Sequence, residues 1–469
     1  MGRGSKKTPS PFGEGAGVRG NREAIKMKSI VRTVIAVFIL FCQIHVASAA
    51  EPIGKRIMLD NGMILLLSEK HDIPMVTMNM AIKAGSMVEP ADKPGLASIT
   101  ASLLTQGTAK RTASQISREI DFVGGSLSAS GGDDFASASL RVLKKDLRTG
   151  LDLLSDVLLN PVFDQKEIDR KVKETLAEIK RQKEEPDSIA GEAFAKMVFG
   201  DHPYGKTNDE VAAYLPKLVP QEVIDFHATR YSPNNTIIAV VGDVGEQEIK
   251  LLLNEYFKSW KNTVQPAQSP AQPPVREKTI VQKIEKNITQ ANIAMGHIGI
   301  SRENPDYYAA LIMNYILGGG GFSSRLMDTI RDNKGLAYDV HSGFSARKEP
   351  GAFSVSIQTK NESANEVIEE TLKEISRMQK ELVSEGELAD AKAYLTGSFP
   401  LKMDTYAKIA GMLTSIEIYG LGLDYPQTYP RLINSVTRED LQRVAKKYLH
   451  PDKMAIVVVA NQEKAKLKY

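Results

Sequence analysis

Cysteine is almost missing from this 469-residue chain: the single one, Cys42, lies in an apolar stretch near the N-terminus. Beyond that stretch a disulfide framework and a Cys/His zinc site are both excluded, so the fold must rest on its own core. Histidine is sparse too. The seven (His45, His71, His202, His227, His297, His341 and His450) are scattered singly, with no H-E-x-x-H and no H-x-x-E-H. A lone histidine is more often a packing or capping residue than a ligand. There is no G-x-S-x-G elbow, although a Ser/His/Asp triad assembled by the fold stays open. The glycine run 318–321 is followed by no Gly-Lys-Ser/Thr and lacks the strand-to-helix setting of a dinucleotide site, so it is weak as a phosphate signal and reads better as a flexible or close-approach loop. With 42% hydrophobic and 25% charged residues, the chain falls in the soluble range and not among multi-span membrane proteins.

What is present begins with an N-terminal export pattern. Residues 1–26 are rich in Gly, Ser, Lys and Arg without apolar periodicity, and Met27 is the more natural start, which leaves 1–26 as a non-native or unstructured extension. A basic segment with Lys28 and Arg32, an apolar run over 34–42 and the small-residue pattern Ala47-Ser48-Ala49 then read as a signal peptide, 27–49, cleaved after Ala49. An N-terminal membrane anchor is the alternative, but the apolar run is short for a span. Phe41 before Cys42 is too large for a lipoprotein signal. Residues 1–49 hold eight Lys/Arg against two Asp/Glu, so removing them turns a formal +3 into −3. No nucleic-acid footprint remains.

The rest of the chain repeats. Residues 219–226 lead through Tyr231 and Pro233 to the apolar run 237–241, and residues 436–441 lead through Tyr448 and Pro451 to the run 455–459. Both copies read as a capped amphipathic helix, a Tyr, a Pro and a buried strand. Between them, the Pro/Gln-rich stretch within 263–277 reads as a linker. The expected division is therefore 50–262 and 278–469. In the first half, strands are expected at 56–67 around the turn Asp60-Asn61-Gly62, at 76–83, as a pair over 126–141, and at 236–242. Helices are expected over 94–106, 113–123, 143–158, 165–185 and 220–231. Hairpin strands with segregated helices predict an α+β fold: two homologous sandwich halves, each a mostly antiparallel sheet with helices on one side.

One segment carries a resemblance. Gly95-Leu96-Ala97-Ser98-Ile99-Thr100-Ala101-Ser102 through Gly107-Thr108 is similar to the helix that bears H-x-x-E-H in pitrilysin/insulinase-type (M16) peptidases. Serine stands at both histidine positions, Ser98 and Ser102, and Ala101 at the glutamate. Positions 98 and 102 share a helix face, but hydroxyls offer no imidazole nitrogen, and alanine has no carboxylate to deprotonate a metal-bound water. A further family ligand maps onto Glu178, which by itself reads as a solvated or ion-paired helix residue. Val123-Gly124-Gly125-Ser126-Leu127-Ser128-Ala129 resembles the turn before a substrate-pairing strand, with Ser128 in place of Asn, and Asp201-His202-Pro203-Tyr204-Gly205 resembles a common family segment.

The most specific match is Leu317-Gly318-Gly319-Gly320-Gly321-Phe322-Ser323-Ser324-Arg325-Leu326, followed by Ile330-Arg331 through Gly335-Leu336-Ala337-Tyr338. In the family this Arg/Tyr pair holds the substrate backbone, a role the resemblance assigns to Arg331 and Tyr338, with Gly319, Gly320 and Phe322 lining the peptide cavity. Two structural readings stay open: an Arg331 that merely pairs with an acid beside a Tyr338 that packs, and a glycine run that is only a turn.

The resemblance implies a metal-less, non-catalytic subunit, inactive alone, that forms a heterodimer with an H-x-x-E-H-bearing homologue. Zinc would sit in that partner, no cofactor in this chain, and the substrate would be an unfolded peptide. Export with this resemblance implies a periplasmic location. Two alternatives remain: a non-enzymatic peptide-binding or scaffold subunit, and a self-sufficient peptidase with other ligands.

Overall fold

The computed structural model describes residues 52–264 and 270–468. The signal-peptide reading and the centre of the Pro/Gln-rich stretch lie outside the described residues. Among the described residues no helix is long and apolar enough to cross a membrane.

Two sheets organise the molecule. The first contains β1 (Lys55–Met58), β2 (Ile64–Glu69), β3 (Met75–Ile82), β4 (Ser126–Gly131), β5 (Ala136–Leu143) and β6 (Thr236–Gly242), in the order β1-β2-β6-β3-β5-β4. The second contains β7 (Ile280–Glu285), β8 (Gln290–Ile298), β9 (Ala337–Phe344), β10 (Ala352–Lys360) and β11 (Ala455–Ala460), in the order β7-β11-β8-β10-β9. With β1 set aside, the two paths coincide strand for strand. Each has one parallel pair in the same place, β2 with β6 and β7 with β11, and antiparallel pairing elsewhere. The repeated helix-to-strand unit of the sequence is thus a repeated sheet.

Local chemistry explains the elements. At the turn before β2, the Asn61 side-chain oxygen accepts from the Met63 backbone N–H at 3.1 Å and Gly62 takes φ +87°. Thr112 and Gln115 close a capping box at the helix Ala113–Phe122, and Thr437 with Asp440 does the same at Arg438–Tyr448. Helix Leu96–Leu103 is shorter than the expected 94–106 because the chain leaves the helix after Leu104.

The continuous apolar runs of β6 and β11 reflect burial on both faces. On one side Ile238 and Val240 join the first half's own helices through Leu151, Leu154, Val223 and Phe226. On the other, Ile237, Ala239 and Val241 meet Tyr406, Ala410 and Leu413 of the helix Tyr406–Ile418, which belongs to the second half. The second sheet reciprocates. Ile456 and Val458 face their own helices, while Ala455, Val457 and Val459 pack against Ala190, Phe194 and Val198 of the helix Pro186–Phe199 from the first half. The segregated helices of each half lie on one face as expected, and a helix from the other half caps the opposite face. Burying a leucine or phenylalanine contributes about 1.5–3 kcal/mol, so each exchanged helix ties the halves by several such side chains. Polar contacts reinforce the exchange: Tyr406 donates its hydroxyl to Asp72 at 2.7 Å, and Arg56 forks onto Glu417.

Candidate functional site

Helix Leu96–Leu103 carries the three altered motif positions. Gly95 caps it in the left-handed region at φ +90°, and the Glu89 carboxylate accepts from the backbone N–H groups of Gly95 and Ala97, both at 3.1 Å. Burial raises the Glu89 carboxyl to about 7, with those two donors pulling the other way. The helix abuts the end of the edge strand β4 so closely that a Cβ on Gly131 would lie 2.6 Å from the Ser98 Cα.

On this helix Ser98 is exposed, and Ser102 is half-buried with its hydroxyl donating to the Ile99 carbonyl at 2.8 Å. Ala101 is fully buried within the apolar core. Glu178, on the helix Gln165–Gln182, is exposed. Bonds from Arg181 and Gln182 hold its carboxyl down at about 2. A zinc ion finds no fit here, since two hydroxyls, a buried methyl and one ion-paired carboxylate supply no imidazole and no free base. No cluster of three His, Cys, Asp or Glu suited to a metal occurs among the described residues.

The second-half segment is built differently. Helix Tyr307–Asn314 widens into a π-turn over Tyr315–Gly319, and a second π-turn, Met327–Asn333, leads into β9. Such wide turns are frequent at functional sites. Three glycines here are required by contact: a Cβ would lie 2.5 Å from Ser342 Oγ at Gly318, 2.6 Å from Asn314 Nδ2 at Gly319 and 2.7 Å from the Tyr315 carbonyl at Gly320. Gly321 instead needs its left-handed φ of +58°. The run is therefore a close-packed corner anchored on β9, where Asn314 donates to the Ser342 carbonyl and accepts from its hydroxyl.

That corner projects Phe322, which is 70% exposed. Its ring centre lies 4.7 Å from the guanidinium carbon of Arg331, which also stands 6.0 Å from the Tyr338 ring centre. Tyr338 falls in a bulge: Ala337 pairs with Thr359 and Asp339 with Gln358, so Tyr338 has no cross-strand partner on β10. Bulges re-aim side chains, and this one leaves Tyr338 74% exposed with no hydroxyl partner among the described residues. The nearest acid to Arg331 is its neighbour Asp332 at 3.6 Å, a single long contact. Arg331, Tyr338 and Phe322 are thus brought together, whereas Ser98, Ala101, Ser102 and Glu178 belong to the other half.

A second arginine of the segment does something else, which sequence reasoning missed. Arg325 is buried and forks onto Glu387 through Nε and one terminal nitrogen at 2.6 and 3.0 Å. Arg325 holds the Glu387 carboxyl down at about 2. Burial against fork geometry separates this structural arginine from Arg331. His202 is structural as expected in its Nδ1, which accepts from the Tyr204 backbone N–H at 3.1 Å.

Known proteins align with this picture. A family model described as insulinase (peptidase family M16) matches residues 65–208, and one described as the peptidase M16 inactive domain matches residues 217–395. An uncharacterised zinc protease of Rickettsia felis is 27% identical over 392 residues, covering 83% of this chain and 93% of its own length. Another from Streptomyces coelicolor is 25% identical over 401 residues, covering 84% and 87%. The crystal structure of a peptidase M16 inactive domain from Pseudomonas fluorescens superposes with a TM-score of 0.81 at 29% identity, over 87% of this chain and 98% of that one. A protease from Helicobacter pylori shares the fold at the same TM-score and 21% identity, over 87% and 100%. With a match of the same family in each half and a shared fold across both, the chain belongs to the insulinase (M16) family of peptidases.

Proposed function

We propose that this chain is a metal-less subunit of a two-chain zinc peptidase, inactive alone, which grips peptide substrate for a homologue bearing H-x-x-E-H. The observation that carries this reading is the contrast between the halves. The first has serine, alanine and serine where metal chemistry needs imidazoles and a carboxylate, and the second presents Arg331 and an unengaged Tyr338 side by side. A guanidinium can fork onto a peptide carbonyl, and a phenol can donate to a carbonyl or to the oxyanion that develops from it. In the partner, an extended peptide would add as a strand to a sheet edge. Phe322 would flank its side chains, with the Gly319-Gly320 corner permitting close approach.

The zinc would belong to the partner. This chain's contribution is binding and orientation, which raise turnover by placing the scissile bond. Export to the periplasm forms part of the proposal and rests on the basic, apolar and Ala47-Ser48-Ala49 pattern. The test is co-purification from the native host with zinc analysis. The proposal expects a homologous partner and one zinc per pair, and none retained by this chain alone. A lone homodimer, or tight stoichiometric zinc in this chain by itself, overturns it.

A further inference from the structure

A cavity of about 430 Å³ lies where the end of helix Pro186–Phe199, the connection into β7 and the strand β8 meet. It is remote in sequence from Arg331 and Tyr338, and the function proposed above makes no use of it. Its apolar walls include Val198, Pro274, Ile298 and Pro350.

Its polar groups carry one sign in excess. Arg276 and Lys453 line it, and neither forms an ion pair among the described residues. The Arg276 Nε is buried without a hydrogen-bond partner. His202 is 2% exposed, and its Nδ1 is occupied as an acceptor from Tyr204, which places the ring proton on Nε2. Burial pushes this imidazole down and keeps it neutral, so Nε2–H is a donor, unpartnered among the described residues, on a cavity-lining ring. His297 is already spent, since its Nδ1 donates to the Ile298 carbonyl and its Nε2 accepts from the His450 backbone. The His450 ring tilts against it at 5.0 Å and completes an aromatic wall. Glu349 is the one carboxylate present. Two cations and a buried ring donor stand against a single anion.

We propose that this cavity binds a small amphipathic organic anion: an acid group held by Arg276, Lys453 and His202, on an apolar body lying against Val198, Pro274 and Ile298. The volume falls in the range of small-molecule sites, and unpaired buried donors gain most from an anionic acceptor. Because Arg276 and Pro274 belong to the connection between the two sheets, a bound ligand would also fasten that connection to both.

The probe is octanoate, titrated calorimetrically into the full chain, with octylamine and inorganic phosphate as controls. We expect saturable binding of one octanoate per chain and no saturable binding of octylamine. Arg276→Gln should weaken octanoate about tenfold or more, and Lys453→Gln should weaken it as well. Both residues are half-exposed, so both variants should fold, and unchanged unfolding curves check this. Absence of saturable octanoate binding overturns the proposal, as does equal affinity in Arg276→Gln or equal binding of octylamine. Phosphate binding as tightly as octanoate overturns it too, since the apolar body would then contribute nothing.

Discussion

The Arg331 guanidinium carbon sits 6.0 Å from the centre of the Tyr338 ring, although the two side chains leave different elements, a π-turn and a bulged edge strand. Neither is consumed by the fold. A cation over an exposed ring is worth about 0.5–1 kcal/mol. Arg331→Ala and Tyr338→Phe should therefore unfold in urea within about 1 kcal/mol of the wild type. A loss of several kcal/mol in either would assign the pair a structural role.

Arg325, six residues earlier, should behave in the opposite way. Removing it leaves Glu387 partly buried without its fork, and breaking buried pairs is strongly destabilising. Because Glu387 is about a third exposed, solvent screening reduces the loss, to about 2 kcal/mol for Arg325→Ala. The Glu387 carboxyl is lowered from 4.5 to about 2, so its stabilising contribution is present above pH 4.5 and disappears as pH falls through about 2. Acid titration of stability should show that loss in the wild type and a smaller one in Arg325→Ala, where only the Ser384 backbone N–H and hydroxyl still donate to Glu387.

Glu89 has the reverse sign. Its carboxyl rises from 4.5 to about 7 in the folded chain, so the folded state holds its proton more tightly than the unfolded state does. Stability from this group is complete below pH 4.5 and is lost as pH rises through 7, by about 3 kcal/mol at most. Glu89→Gln keeps an acceptor for one helix N–H and cannot ionise. The difference in unfolding free energy between Glu89→Gln and wild type should grow in the variant's favour from pH 4.5 to 8. A flat difference would contradict the burial argument.

The exchanged helices predict coupling between the halves. Leu413 is fully buried against the first sheet, and Leu413→Ala should cost about 2–5 kcal/mol. Hydrogen exchange should quicken in β2 and β6, although the substitution lies in the second half. Phe194→Ala should do the same in β8 and β11. Exchange that quickens only around the substituted helix would show that the caps do not hold the sheets.

Much of this architecture is legible in the chain itself. The runs in β6 and β11, each preceded by a capped helix and a Pro, expose the repeat because strands buried on both faces must be apolar throughout. The Asn61-Gly62 turn and the pair β4 and β5 follow from turn chemistry and alternation. The helix exchange is not legible, because Ala410 and Leu413, or Ala190 and Phe194, say that a face is buried and not which sheet buries it. The helices Pro186–Phe199, Asn208–Tyr214 and Glu246–Phe257 of the first half lie outside the helices expected from the sequence. At the site, Arg331 and Tyr338 stand out only through the resemblance of the surrounding segment. The bulge that frees Tyr338 depends on the register with Gln358 and Thr359, a long-range fact. Without that resemblance Arg325 and Arg331 look equivalent in sequence, and it is burial and the Glu387 fork that mark Arg325 as structural.

The most direct test reconstitutes this chain with its H-x-x-E-H-bearing homologue and measures kcat/KM on an unfolded peptide. Neither the isolated wild-type chain nor the isolated Arg331→Ala chain should cleave it. In the pair, turnover should fall roughly 10²–10³-fold for Arg331→Ala or Tyr338→Phe if the lost donor serves the developing oxyanion. Unchanged turnover in the Arg331→Ala pair, or chelator-sensitive proteolysis by this chain alone, would rule out a metal-less, substrate-gripping role.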